Sequence, residues 1–429
     1  MKRSRIPLVE LRLAFPLPAA QIRRGAEPLV MSESMLAGTG RHDRASLADA
    51  VGRLGGAIGV TVTGDCLILH ASALAPRLGR LLSLVAEVLT SASYAADEVS
   101  SDRRRSADEV RLALSLPETM AGEALARRLW GRHPYGAAMP RPEVVERVGA
   151  ARLRQLHSTV LRPAAGCLVV VGDVQPTRAL ANTEEALGSW LETKPAESQS
   201  LPPLPNVMQG PIQLVDRPGA IQSNIRIGGR MPSRSREDWP AAAMANAVLG
   251  GMFTSRLVEN LRERNGYTYS PFSKVTHLRA GSGLRVGADV STGVTAPALV
   301  EMTYEIARLA SCGVTTDELE LARRYLTGVF LFATSTQVGL VSTLAILAVA
   351  GLRPEYLARY PARLATVTKE EVDGAAARYL APSTLATVVV GDAEVVTDPL
   401  AALGQVEVPA GDGHDPIARR TRAGRGAGG

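Results

Sequence analysis

A chain of 429 residues exceeds what one ordinary core organises, and 46% hydrophobic with 21% charged residues is a soluble, globular balance. The net charge of +6 is modest, and all but four of the 48 basic residues are arginines scattered along the chain. No basic stripe interleaves with aromatics, which excludes a dedicated nucleic-acid surface.

In chain order, VELRLAF reads as a first strand, because Glu10 and Arg12 interrupt what would otherwise resemble a basic, apolar leader. LVMSESMLAG (29–38) comes next and reads as a helix, with Pro28 suiting its first position and Gly38 its C-terminal cap. On that helix Val30, Glu33 and Ser34 fall at i, i+3 and i+4 on one face. Zinc hydrolases of the H-x-x-E-H type give these offsets to His, Glu and His. Here both imidazoles are missing, and none of the six His residues has a second one three to five positions away. By itself, Glu33 reads as a solvated residue on a Ser-rich helix.

GVTVTGDCLILHASAL (59–74) reads as strand, and residues 76–91 as a helix with one apolar stripe of Leu78, Leu81, Leu82, Val85, Val88 and Leu89. Gly55-Gly56 between helix and strand suits a C-terminal cap rather than a phosphate loop. LRPAAGCLVVVGDV (161–174) is matched by LAPSTLATVVVGDA (380–393), and YAADEVSSDRRR (94–105) by VTTDELELARRY (314–325). The steady offset of about 220 residues marks an internal repeat. The chain therefore reads as two copies of one domain, 1–195 and 212–408, with a Pro- and Ser-rich linker at 196–211. Residues 409–429 carry no apolar periodicity and read as a disordered tail. Further strands are QLVDR, SNIRIGG, GLRVGADVS and ATVVVGD, and further helices 298–311 and 316–331. An α+β class results, each domain a mostly antiparallel sheet with helices on one face.

In the second copy, NAVLGGMFTSRLVENLRERNGYTYSPFS (246–273) reads as a helix capped by Thr254 and running to about Arg264. Asn265-Gly266 ends it in a left-handed turn, and Tyr267 and Tyr269 begin a strand on one face. Read locally, Arg262 is a last-turn cation and Tyr269 an ordinary strand aromatic. Cys66, Cys167 and Cys312 form no C-x-x-C pair and read as small core residues of a reducing compartment. No run approaches the roughly 20 apolar residues of a membrane span, so a cytoplasmic protein without a membrane partner is expected.

The order MLAGTG, RLGGAIGVTVTGD, DEVSSDRRRSADEV, WGRHPYG, LVVVGDV resembles the first domain of the pitrilysin, or insulinase-like, zinc peptidases, the M16 family. Aligned through Met35-Leu36, the resemblance puts the two zinc-binding His on Val30 and Ser34, the general base on Glu33 and the distal Glu ligand on Glu109. Two carboxylates without imidazoles hold zinc poorly, so no metal and no autonomous catalysis are expected of this chain. Residues 246–273 are similar to the family's G-G-x-x-S-R-L-x-x-x-L-R-x-x-x-G-x-x-Y segment, whose Arg and Tyr bind substrate backbone and stabilise the tetrahedral intermediate. These fall on Arg262 and Tyr269. Family members close as a clamshell of four such domains, in some cases split over two chains. The resemblance implies the zinc-less chain of such a heterodimer, half a clamshell. Its partner would carry H-x-x-E-H and the zinc, and its substrate would be a peptide. The alternative from another class is a scaffold that kept the fold and lost peptidase work.

Overall fold

The computed structural model describes residues 6–192 and 200–409. In the first half, strands β1 (Leu8–Pro16), β2 (Ala57–Thr63), β3 (Cys66–Leu74) and β4 (Cys167–Gly172) carry nine helices. These are α1 (Ala19–Arg24), α2 (Ala26–Ser34), α3 (Arg44–Gly52), α4 (Leu78–Ser91), α5 (Ala96–Ser115), α6 (Pro117–Trp130), α7 (Pro142–Val145), α8 (Ala150–Val160) and α9 (Pro176–Leu191). In the second half the strands are β5 (Ile212–Asp216), β6 (Gln222–Met231), β7 (Phe272–Leu278), β8 (Gly281–Ser291), β9 (Leu385–Gly391) and β10 (Val406–Glu407). Their helices are α10 (Trp239–Asn246), α11 (Thr295–Cys312), α12 (Thr316–Ser335), α13 (Gln337–Val349), α14 (Tyr356–Thr366), α15 (Lys369–Tyr379) and α16 (Ala393–Ala401).

The first sheet is antiparallel in the order β2-β3-β1-β4, and the second runs β10-β5-β9-β6-β8-β7. Stripped of β5 and β10, the second order is the first one repeated. Among the described strands, only the β5–β9 and β5–β10 pairs are parallel. Alternation along β1 sends Val9, Leu11, Leu13 and Phe15 into one core with the α4 stripe, Leu78 to Leu89. Ile225, Ile227 and Met231 of β6 do the same in the other core, against α10 and α11.

The sequence led us to expect helices on one face of each sheet; the other face is also covered, by a helix from the opposite half. α6 packs on β6 and β9, and α13 packs on β1 and β4. α6 and α13 occupy equivalent places in the repeat, so the exchange is reciprocal. It explains why α13, QVGLVSTLAILAV, is apolar all round: Leu340, Val341 and Leu344 meet Val171. A break precedes each exchanged helix. Pro117 opens α6, and Thr336 caps α13 by accepting the Gly339 N–H (3.0 Å), where the chain bends by 108° from α12. Among the described residues no single helix is long and apolar enough to cross a membrane. At the seam between the halves, the Tyr135 hydroxyl donates to Asp65, which also accepts the Arg279 N–H (2.8 Å).

Several local expectations shift. Pro28 is the third residue of α2, which starts at Ala26 after Gly25 (φ +61°) and ends at Ser34. Gly38 is not its cap but bridges to Asp43. Cys312 is exposed rather than in a core, whereas burial pushes the Cys66 thiol up to about 12. Residues 196–199 of the expected linker lie outside the described residues; 200–211 run without regular structure, with Leu204 buried against α6. The expected tail lies outside the described residues from 410 on.

α6 approaches its borrowed sheet closely because glycines lie beneath it. A Cβ on Gly228 would sit 3.0 Å from both Leu125 and Leu129, and one on Gly283 would sit 2.8 Å from the Trp130 ring. Gly283→Val is therefore expected to cost about 1–3 kcal/mol through overpacking. Urea unfolding followed by tryptophan fluorescence measures it, and an unchanged midpoint would show that α6 does not bear on the sheet in this way.

Candidate functional site

α2 and α5 pack together in the first half, and the positions of interest lie between them. Val30 is fully buried, and Ser34 is buried with an Oγ that has no hydrogen-bond partner among the described residues. Glu33 reaches the surface and pairs with Arg105 Nη2 of α5 at 3.2 Å. The same Arg105 nitrogen lies 2.8 Å from Asp102, whose other oxygen pairs with Arg44 (2.8 Å), and Arg44 continues to Glu98. Glu109, one turn beyond Arg105, is exposed. These residues do not fit a zinc ion. Val30 has no donor atom, Ser34 offers a neutral hydroxyl, and the guanidinium beside Glu33 repels a divalent cation. Around the fully buried Asp102, Arg105 thus ties α5 to α2 and Arg44 ties α5 to α3.

The second constellation begins where α10 ends. Helical turns widen there into π-helix over Ala247–Gly251, and again over Val258–Arg264 after a helical start at Arg256. Thr254 is not its cap: the helix starts at Arg256, and Ser255 immediately before it has an Oγ without a hydrogen-bond partner among the described residues. Arg256, nine-tenths buried, grips Glu318 of α12 with two hydrogen bonds (2.7 and 2.8 Å) and donates to the Gly313 carbonyl (2.8 Å). Gly266 then turns the chain at φ +63°, as its sequence predicts. Tyr267 and Tyr269 do not begin a strand, because β7 starts only at Phe272. Tyr269 lies in the connecting loop, 79% exposed.

The loop brings Tyr269 back over the helix end. The Arg262 guanidinium carbon lies 4.7 Å from the centre of the Tyr269 ring and 4.9 Å from that of Phe253. Two exposed rings thus flank one arginine, whose Nε also pairs with Glu263 (3.3 Å). Flanking by ring faces leaves the in-plane N–H donors of a guanidinium pointing outward. Phe253 escapes sequence reading, since a Phe two residues after a Gly-Gly pair carries no signal of its own. Among the described residues, no group of three or more His, Cys, Asp or Glu is gathered as metal ligands.

Comparison with known proteins bears on this geometry. Residues 147–326 match the family described as peptidase M16 inactive domain. An uncharacterized zinc protease of Mycobacterium leprae is 29% identical over 290 residues, covering 66% of this chain and 64% of that protein, under two thirds of its length. The crystal structure of a peptidase M16 inactive domain from Pseudomonas fluorescens superposes with a TM-score of 0.84 at 21% identity, covering 91% of this chain and 94% of the other. A protease from Helicobacter pylori superposes at 0.81 and 18%, covering 91% and 96%. The chain is thus similar to M16 peptidase homologues, in sequence over residues 147–326 and in fold over most of its length. Its α2 face offers no imidazole donor, since Val30 and Ser34 stand at the positions flanking Glu33.

The Arg256–Glu318 pair predicts an acid sensitivity. Burial alone would raise the Glu318 carboxyl, but its hydrogen bonds from Arg256 and Thr315 hold it below its usual 4.5. A carboxylate lowered in the folded state contributes stability above its ordinary pKa and loses it as pH falls. The Tm gap between wild type and Glu318→Gln should be full at pH 6 and shrink steadily below pH 4.5. A gap independent of pH would mean that the pair does not hold α12 to this segment.

Proposed function

We propose that this chain is the zinc-less subunit of a heterodimeric M16-type peptidase, closing over a peptide and presenting Arg262 and Tyr269 to it. The observation that carries this reading is the Arg262 guanidinium held between Phe253 and Tyr269 at a surface, seven positions apart in sequence from the tyrosine it meets. A guanidinium N–H and a phenol O–H near each other can both donate to one carbonyl oxygen of a bound peptide. Because both donors are fixed before the substrate arrives, they gain most when negative charge grows on that oxygen. The partner would carry H-x-x-E-H and the zinc, and the hydrolytic water with it. Nothing on the α2 face of this chain is needed for that division of labour. Three free cysteines suit a reducing, cytoplasmic setting. The scaffold reading leaves two large exposed aromatics clamped on an arginine without a purpose.

In the assembled dimer, Arg262→Ala and Tyr269→Phe should each lower kcat by about 10²–10³-fold, the range for losing one oxyanion donor. Light scattering should show the dimer intact. Unchanged turnover with an intact dimer would remove the proposed role and leave the scaffold.

A further inference from the structure

The π-helical turn that carries Arg262 is pinned by one residue. Asn260 is 1% exposed, on the face away from solvent. Its Nδ2 donates to Glu301 and to Glu305 of α11, both at 2.8 Å. Its Oδ1 accepts from Asn265 Nδ2 (2.7 Å), and its backbone carbonyl accepts both the Asn265 N–H and Asn265 Nδ2 (3.0 Å each). The backbone bond from residue 265 to residue 260 is the i→i+5 closure of a π-turn, and the two side chains bracket it. The helix end is widened in the same way. Gly266 N–H reaches the Arg262 carbonyl (3.2 Å) and Tyr267 N–H the Leu261 carbonyl (2.8 Å). Both are one residue longer than the nested pair that closes an ordinary α-helix.

We propose that Asn260 is a positioning residue for Arg262. One extra residue in a turn rotates the next stretch of helix by about 100°. In the α register, Arg262 would leave the cleft between Phe253 and Tyr269. π-Turns are rare and less favourable than α-turns, so something must hold this one. Asn260 does so with the only side-chain chemistry that serves both sides: two N–H donors for two acidic residues of α11, and an acceptor for Asn265. A Leu of similar size would leave Glu301 and the buried Glu305 without those donors. The link from this geometry to turnover rests on the proposed function; the geometry itself does not.

The full-length chain labelled with 3-fluorotyrosine gives a direct reading. The Tyr269 resonance is identified by its loss in Tyr269→Phe, and its displacement in Arg262→Ala marks the unstacked ring. Asn260→Ala should move that resonance toward the Arg262→Ala position while the others stay in place. Asn265→Ala, at a half-buried site, should move it the same way and decides the matter if Asn260→Ala does not fold. A Tyr269 resonance at its wild-type position in a folded variant would overturn the proposal. In the assembled peptidase, Asn260→Ala should lower kcat at least tenfold, and the double variant with Arg262→Ala should be no slower than Arg262→Ala alone. Loss of turnover in Arg262→Ala without any in Asn260→Ala would refute the positioning role and spare the function. A shifted resonance with turnover indifferent to both variants would do the reverse.

Discussion

The structure depends first on an exchange between its halves. Each sheet has one face covered by its own helices and the other by a helix from the opposite copy, α6 on β6 and β9, α13 on β1 and β4. β6 corresponds to β1, and β9 to β4, so the two interfaces are the same solution used twice. A sheet with one bare apolar face does not persist in water, and neither half covers both faces with its own helices. The halves are therefore bound by core packing more than by surface contact. The junction of the buried Asp65 with half-buried Tyr135 and Arg279 adds direction to an association that hydrophobic burial alone leaves unspecific.

That frame is indifferent to what the two copies do chemically, and they have diverged within it. Where α2, α3 and α5 meet, the joining charges are Arg44 and Arg105 around Asp102 rather than a metal among imidazoles. A guanidinium can satisfy several carboxylate oxygens at fixed geometry, which suffices to pin two helices. It cannot polarise a water. In the other copy, acidic side chains from α11 and α12 hold the segment after α10 from beneath: Glu318 through Arg256, and Glu301 and Glu305 through Asn260. On its outward side the same segment pairs within itself: Arg262 meets ring faces and Glu263, and Arg264 meets Glu259.

Most of the architecture was legible because it rests on periodicity. Strand-like apolar runs located β1, β3, β4, β5, β6, β8 and β9, the α4 stripe identified its helix, and the offset between Gly172-Asp173 and Gly391-Asp392 exposed the repeat. The helix exchange was not legible, since an all-apolar α13 says that a helix is buried without saying in which half. The departures at residues 246–273 have a common cause. Sequence patterns assume a 3.6-residue turn, and two π-helical stretches break it, so Thr254 is displaced as a cap and the tyrosines fall in a loop rather than a strand. Arg262 and Tyr269 could be paired by motif spacing; that they touch, and that Phe253 completes the clamp, depends on the inserted residue and on Gly266.

A π-turn held by buried amides is a costly way to end a helix, and its consequence here is specific. It directs an arginine toward solvent between rings that are 69% and 79% exposed, where apolar surface gains nothing from burial within the chain. Backbone hydrogen bonding alone favours the α register. The departure is local, and it is braced from the core side by the buried Asn260, Glu305 and Arg256. The two halves thus use one frame for different local ends: an ion-paired junction on Asp102 in the first, and in the second a widened helix end that sets Arg262 against two exposed rings.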